Sequence, residues 1–469
     1  MIVRTLIVGL LVLAALAVGA PALTGLYLAR EFDQSVARLQ RPGLLEVVSS
    51  RLTRGWFTSD ATIRVALSGP LCAGPPCPSV TLTSRIHHGP IAFNAPIEPG
   101  HGLTPSLGVV ETRLDLSTLW PRRVFEPELP PVGLITRVGF DGQARTALKM
   151  AGTRTEISRR QRQAHLDLDA VTGNIAQSMT GGVSSVDLKA PQLRLLAEQG
   201  AQFVWRDLTL DHAPATSATA AATRLNMAAL TLADGMGSAG QIRDLRMRWQ
   251  PMAADARPGS GLSGHAELHA ESWVVDDLRG GPVAVQADLK HIDPMAVQSL
   301  GEALGNLYDA RGLIVPEVRA RLYRQWLPGV LANRAALDIQ RLNVVTERGV
   351  IDAHMRIVAP ETLRPVRLLA DAVSQLNVDL AVSLPVAIAR DLAVQVMLAN
   401  GRSPYDIEET DIDRALGELV GQGLIERRPD ETVYRLALTI EAGRLRLNGR
   451  NQIGWQSLVD QFETARARL

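Results

Sequence analysis

Between Thr62 and Ala287, apolar and polar residues trade places at every second position, and that period decides what the chain can fold into. Ile63, Val65 and Leu67 alternate with Thr62, Arg64 and Ala66, and Val80 and Leu82 alternate with Thr81 and Thr83. Leu114 and Leu116, Leu166 and Leu168, Leu208 and Leu210, and Val283, Val285 and Ala287 continue the pattern, with a shorter run at Ile242, Leu245 and Met247. Successive side chains on a strand point to opposite faces, so each run has one core face and one wet face. Antiparallel sheets read this way. Glycine, proline and polar clusters break the runs, with loops expected at 90–105, 212–223 and 251–264.

Helical spacing enters near residue 293. Asp293 before Pro294 predicts a capped helix bearing Met295, Val297, Leu300, Leu304 and Leu307, and Glu317–Leu331 predicts a second. Pro385–Asn400 reads as a buried helix. Ser403-Pro404 opens another, with Ile412, Ala415, Leu416 and Leu419 at helical spacing. Strands return at 337–339, 350–358, 433–440 and 445–447, and a short helix follows Trp455. The expected fold class is α+β and β-rich: antiparallel sheets with packed helices in the C-terminal half, behind one N-terminal transmembrane helix. Residues 1–30 are the expected anchor, 31–290 a β-rich region, and 291–469 an α+β region. Glu31–Ser50 reads as a short amphipathic segment broken at Arg41-Pro42-Gly43.

Thr5–Leu28 contains no charged residue. At about 1.5 Å per residue it spans about 36 Å, enough for a hydrocarbon core of about 30 Å. Arg4 precedes it and favours a cytoplasmic N-terminus. The competing reading is a signal peptide cleaved after Ala20-Pro21-Ala22. Either reading exports the rest of the chain, as a single-pass inner-membrane protein with its bulk in the periplasm or as a secreted one. The two cysteines, Cys72 and Cys77, then lie in an oxidising compartment, where a disulfide across their Gly-Pro-Pro loop is expected.

The 469 residues are 46% hydrophobic and 21% charged, with a formal net charge of +1. This describes a folded chain and removes the electrostatic case for nucleic acid. No Gly-x-Ser-x-Gly elbow, Walker loop or dinucleotide fingerprint is present, so no enzyme activity and no cofactor are expected. His265, Glu267 and His269 share one strand face, as do His165, Asp167 and Asp169. Beside alternating leucines, both read as polar, solvated faces rather than metal sites. The acids Asp406, Glu408, Glu409, Asp411 and Asp413 suit the start of the Ser403-capped helix.

Three segments carry a family resemblance. The first is Arg54-Gly55-Trp56-Phe57-Thr58-Ser59, with Thr58 in place of a more usual serine. The second is His88-Gly89-Pro90-Ile91. The third is Gly423-Leu424-Ile425, then Tyr434, then Gly443-Arg444-Leu445-Arg446-Leu447-Asn448-Gly449. In this order they resemble the YdgA-like family of bacterial proteins, a domain of unknown function, over nearly the whole chain. The resemblance implies an inner-membrane-anchored envelope protein and no established reaction. The residues themselves read as structural. Adjacent Trp56 and Phe57 are expected on opposite faces of a strand. Asn448-Gly449 is a hairpin turn signal. His88 reads as bonded to a turn carbonyl.

The expected function is a non-enzymatic binding or scaffold role in the envelope. The expected partners are the inner membrane through residues 5–28 and lipid or another envelope component. The alternative is an envelope hydrolase using His88 or scattered carboxylates.

Overall fold

The computed structural model describes residues 25, 30, 32–34, 36–37, 45–67, 77–89, 106–116, 125–159, 162–178, 182–198, 200–215, 221–235, 239–252, 262–276, 278–293, 334–361, 375–399, 402–427, 431–441 and 444–453. The chain divides into two compact units, one of residues 1–219 with 223–238 and one of 220–222 with 239–469. The sequence places the change of character near 290. The two units divide near 239 because cohesion follows strand pairing: the strands of 239–275 pair with one another and with 278–292, which pairs in turn with 336–346.

The first unit is an antiparallel sheet built largely from neighbours in the chain. β1 (Leu45–Arg54), β2 (Thr58–Leu67), β3 (Ser79–His88) and β4 (Gly108–Asp115) pair in turn. The sheet continues through β6 (Val132–Val138), β7 (Gln143–Met150), β10 (Val171–Ser178), β11 (Gly182–Ala197) and β12 (Ala201–Ala213). Side-chain hydrogen bonds between His212 and Thr223 (2.9 Å) and between Asn226 and Thr209 (3.3 Å) tie β13 (Ala222–Asp234) to β12. The core lies under β2–β7, where Ala61, Ile63, Val65, Ile86, Val132, Val138 and Met150 are buried on one face, while Val109 is buried on the other beside His87. β1 corrects the amphipathic reading of 31–50, since Leu45 onward is extended and paired with β2.

β11 forks the sheet. Residues 182–189 pair with β10, whereas residues 193–197 pair with β9 (Arg162–Leu168), which leads on to β8 (Thr153–Arg159) and β5 (Phe125–Glu126). Pro191 stands between the two stretches. It has no N–H to give a ladder, so the exchange of neighbours falls where a bond is already missing. Across from it, between the pairs Ala190–Leu208 and Gln192–Arg206, Asp207 adopts φ 53°.

The second unit is also a sheet: β14 (Ala239–Pro251), β15 (Leu262–Ala270), β16 (Ser272–Val275), β17 (Leu278–Ile292), β18 (Ala336–Thr346), β19 (Gly349–Val358), β20 (Asn377–Pro385), β21 (Val433–Glu441), β22 (Arg444–Leu447) and β23 (Arg450–Ile453). Its register keeps like beside like. Trp249, Ala266, Ala287, Ile339, Met355, Leu380, Leu438 and Leu447 form one continuous row across eight strands. Met247, Leu268, Val285, Leu342, Ala353, Val382 and Leu436 form the next row on the same face. The opposite face carries Gln250, His265, Asp288, Asp338, Arg356, Asp379, Thr439 and Arg446.

Helices are few. α1 (Val386–Ala399) follows β20 directly and buries Ala389, Ala393 and Met397, four residues apart along one face. α2 (Glu409–Gly421) sets Ile412, Ala415 and Leu416 against them, with Tyr434 closing the cluster. Ser403 does not cap α2. Its hydroxyl accepts from Tyr405 N–H over a single 3₁₀ turn, Pro404–Asp406, and α2 starts later at Glu409. The acids of the expected cluster do gather at its start, where Arg390 of α1 pairs with Asp413 (2.6 Å) and Glu409 (3.6 Å), and Arg402 pairs with Asp411 (3.6 Å).

The helices expected at 294–331 and after Trp455 lie outside the described residues, as does Thr5–Leu28 apart from Gly25. Among the described residues no helix is long and apolar enough to cross a membrane. Leu424, fully buried with Leu445, Leu447 and Ile440, seals the end of the second sheet. Leu424→Ala is expected to lower unfolding stability by about 2–5 kcal/mol, read from urea denaturation followed by far-UV circular dichroism.

Candidate functional site

Two of the three signatures meet in one buried joint of the first unit. Gly55–Phe57 turn the β1–β2 hairpin, and Gly55 N–H donates to the Thr58 carbonyl (2.9 Å). β3 lies alongside with Ser59 opposite Ile86, so its last residue, His88, arrives beside the hairpin turn. His88 N–H donates to the Phe57 carbonyl (2.8 Å). Its ring then makes two bonds, Nδ1 to the Trp56 carbonyl (2.9 Å) and Nε2 to Ser59 Oγ (2.9 Å). A carbonyl only accepts, so Nδ1 carries a proton; in the neutral ring Nε2 accepts from the Ser59 hydroxyl.

Glycines close the joint on both sides. Gly89 N–H donates to the Leu107 carbonyl (2.9 Å), and a Cβ at Gly89 would lie 1.9 Å from the Ser106 carbonyl oxygen. A Cβ on helical, buried Gly25 would lie 2.7 Å from His88 Cε1. No side chain fits at either place. Pro90 lies outside the described residues.

This order of groups, a hydroxyl on an imidazole nitrogen and an acceptor on the other, is that of an activated nucleophile. Its setting is different. Ser59 and His88 are each 3% exposed, and Gly25 covers the ring. The arrangement fastens the hairpin turn to the end of β3 and offers no face to a substrate. Trp56 and Phe57 do not sit on a strand with opposite faces; both belong to the turn and are 56% and 54% exposed.

The third signature is a second joint. Asn448 and Gly449 join β22 to β23 as a two-residue loop with φ of 49° and 69°, the positive pair such a hairpin needs. Asn448 Oδ1 accepts from Ala437 N–H (2.7 Å), and its Nδ2 donates to the Gly423 carbonyl (2.9 Å) just past α2. One side chain thus holds β21, the β22–β23 turn and the end of a helix. Tyr434 is buried in the α1–α2 cluster, with the Arg427 guanidinium 5.4 Å from its ring centre.

The polar strand faces are placed as follows. His265 Nδ1 meets Asp288 at 2.7 Å and Nε2 meets Glu267 at 3.4 Å, while Gln340 donates to the other Asp288 oxygen (2.8 Å). His269 is exposed and outside this group. Among the described residues, no three His, Cys, Asp or Glu side chains are placed to hold a metal ion. The hydrogen bond to Asp288 raises the His265 pKa above its ordinary 6.5, with Glu267 adding to it and burial opposing.

His165 and Asp167 line a concavity of about 390 Å³ with Glu126, Glu156, Arg154 and Arg194. Register builds it: Glu126, Glu156 and His165 stand in one lateral row, and Arg154, Asp167 and Arg194 in the next. His165 faces Glu156 at 3.5 Å and Arg154 faces Asp167 at 3.3 Å. This is where carboxylates converge, and sequence reading missed four of its six members because their partners are distant in the chain. It also missed the His87–Glu111 pair (2.8 Å) and the seat of Gly25. Cys77 is disulfide-bonded, and Cys72, the other cysteine, lies outside the described residues.

A family model described as a bacterial protein of unknown function (DUF945) matches residues 3–452. No curated protein matches the chain, and no solved structure matches it.

Two measurements probe these joints. Ser59→Ala leaves a buried imidazole nitrogen without its partner and is expected to cost about 1–3 kcal/mol in urea denaturation. The His265 pair gives a pH signature. A raised folded-state pKa contributes stability that is fully present below the unfolded value and is lost as pH rises through the folded one. The melting-temperature gap between wild type and His265→Gln should therefore be widest near about pH 5 and shrink by about pH 8.

Proposed function

We propose the following reading for this chain, which belongs to the DUF945 family of bacterial proteins of unknown function. It is an envelope protein of the YdgA-like kind, held in the inner membrane through residues 5–28, with its body in the periplasm. The body has a non-enzymatic binding role and takes up lipid on the apolar face of its second unit.

One observation carries the reading. Among the described residues, the apolar rows of that face are covered closely at one end and less so over the middle strands, where Ala287 is buried but its larger neighbours are not. Ile440, Leu445 and Leu447 are buried at the covered end, whereas Leu268, Val285, Leu342, Ala353 and Met355 are half-buried and Met247 is exposed. Apolar area left in water is unfavourable at about 25 cal/mol per Å². A row of branched and unbranched aliphatic side chains several strands wide suits an acyl chain laid across it. The signatures support the non-enzymatic part, since Ser59, His88 and Asn448 are each spent on bonds within the fold.

The purified full chain, washed in detergent, is expected to retain phospholipid detectable by mass spectrometry after denaturing extraction. Leu268→Gln, with an unchanged circular dichroism spectrum, is expected to retain several-fold less. Wild-type protein that carries no lipid removes the lipid reading.

A further inference from the structure

The charged concavity of the first unit has unmatched charge of opposite sign at its two ends. On one side Glu126 and Glu156 stand directly opposite each other in the β5–β8 ladder. Like charges so placed repel. The pairing is held all the same, because the buried Thr155 hydroxyl donates to the Pro127 carbonyl and fastens the two-residue β5 to β8. Arg154 is taken by Asp167 (3.3 Å), and Glu156 has the His165 ring at 3.5 Å. On the other side Arg194 lies directly opposite Asp167, whose carboxylate is turned to Arg154. Among the described residues neither Glu126 nor Arg194 has an ion-pair partner, and both are exposed.

A ligand that matches this arrangement is positive at one end and negative at the other. Three strand spacings separate β5 from β11, about 14 Å between backbones. Glu126 and Arg194 both line the concavity, and their side chains shorten that gap to about 10 Å. An extended chain advances about 3.3–3.6 Å per residue, so about three residues bridge it. The volume of about 390 Å³ lies at the small end of ligand sites, and Leu166 and Leu196 add apolar lining. A free amino terminus is an ammonium with donors alone, which a pair of carboxylates satisfies. A free carboxyl terminus accepts two parallel bonds from a guanidinium. A metal ion fits the acidic end less well, since among the described residues no three His, Cys, Asp or Glu side chains are placed to hold one.

We propose that this concavity binds a short zwitterionic peptide of about three residues, its amino terminus between Glu126 and Glu156 and its carboxyl terminus on Arg194. The site belongs wholly to the first unit and does not depend on lipid uptake by the second.

The test is equilibrium dialysis of the purified full chain, in detergent, against tritiated Ala-Leu-Ala. Saturable binding with a Kd below about 1 mM is expected. The N-acetylated and the C-amidated tripeptides are each expected to compete at least about fivefold more weakly. Arg194→Gln should erase the difference between free and amidated peptide and keep the one between free and acetylated peptide. Glu126→Gln should do the reverse. Both side chains are exposed, so both variants are expected to keep the circular dichroism spectrum, and the blocked peptides test the same contacts on the wild-type chain. Absence of saturable binding up to about 5 mM overturns the proposal. So does equal competition by either blocked peptide on the wild-type chain, or full discrimination retained by either variant. Retained lipid without peptide binding removes this inference alone, and peptide binding without lipid removes the lipid reading alone.

Discussion

Register is the constraint on which the second unit depends. Eight strands place apolar side chains in line from Trp249 to Leu447, and the neighbouring positions place polar ones in line from Gln250 to Arg446. Side chains alternate with period two, so a slip of one residue in any strand would carry aspartates and arginines onto the apolar face. Each pairing is thus checked twice, by its backbone bonds and by its rows. Irregularities are absorbed locally: the β17–β18 ladder shifts between Gln286 and Ala287, and β18–β19 shifts between Ile339 and Leu342, after which the rows resume.

The first unit has a row of its own, Ile63, Leu82, Leu114, Val132, Met150 and Val171 across six strands, and adds joints to it. At the hairpin turn, one imidazole collects the Trp56 carbonyl, the Ser59 hydroxyl and the flank of Gly25 within a space that leaves no methyl group unaccounted for. Buried polar groups cost free energy unless paired, so a histidine with both nitrogens bonded is a fastening that resists substitution in any one of its parts. Asn448 plays the corresponding part in the second unit, with a side-chain amide in place of a ring. Residues that look chemically active in a linear sequence are consumed in both places by holding turns.

Much of the architecture was legible because alternation is a local property. Ile63 and Val65 are buried and Thr62 and Arg64 exposed, as their order requires. α1 and the apolar face of α2 were legible for the same reason, through Ala389, Ala393, Ile412 and Leu416. β1 was not, since Arg41-Pro42-Gly43 breaks one pattern without announcing that Leu45 begins another. Ser403-Pro404 was misread as the start of α2, because a serine followed by proline caps a single turn as readily as a helix. The charged concavity was illegible: Glu126, Glu156, Arg194 and His165 become neighbours only through ladder partners supplied by four different strands. Gly25 gave no signal either, for a glycine inside an apolar run looks the same whether it faces lipid or an imidazole.

The pairing order has a consequence for how the protein is made. In the first unit β1 through β4 join in the order of synthesis, so each strand finds its template already in place. The second unit repeats this from β17 to β20, but its sealed end waits for β21 and β22, which close over Leu424 and receive Asn448. The amino-terminal half can therefore gain protection from proteases while the later half is still open. A nascent chain stalled before residue 433 would present the half-built apolar rows to whatever chaperone escorts it.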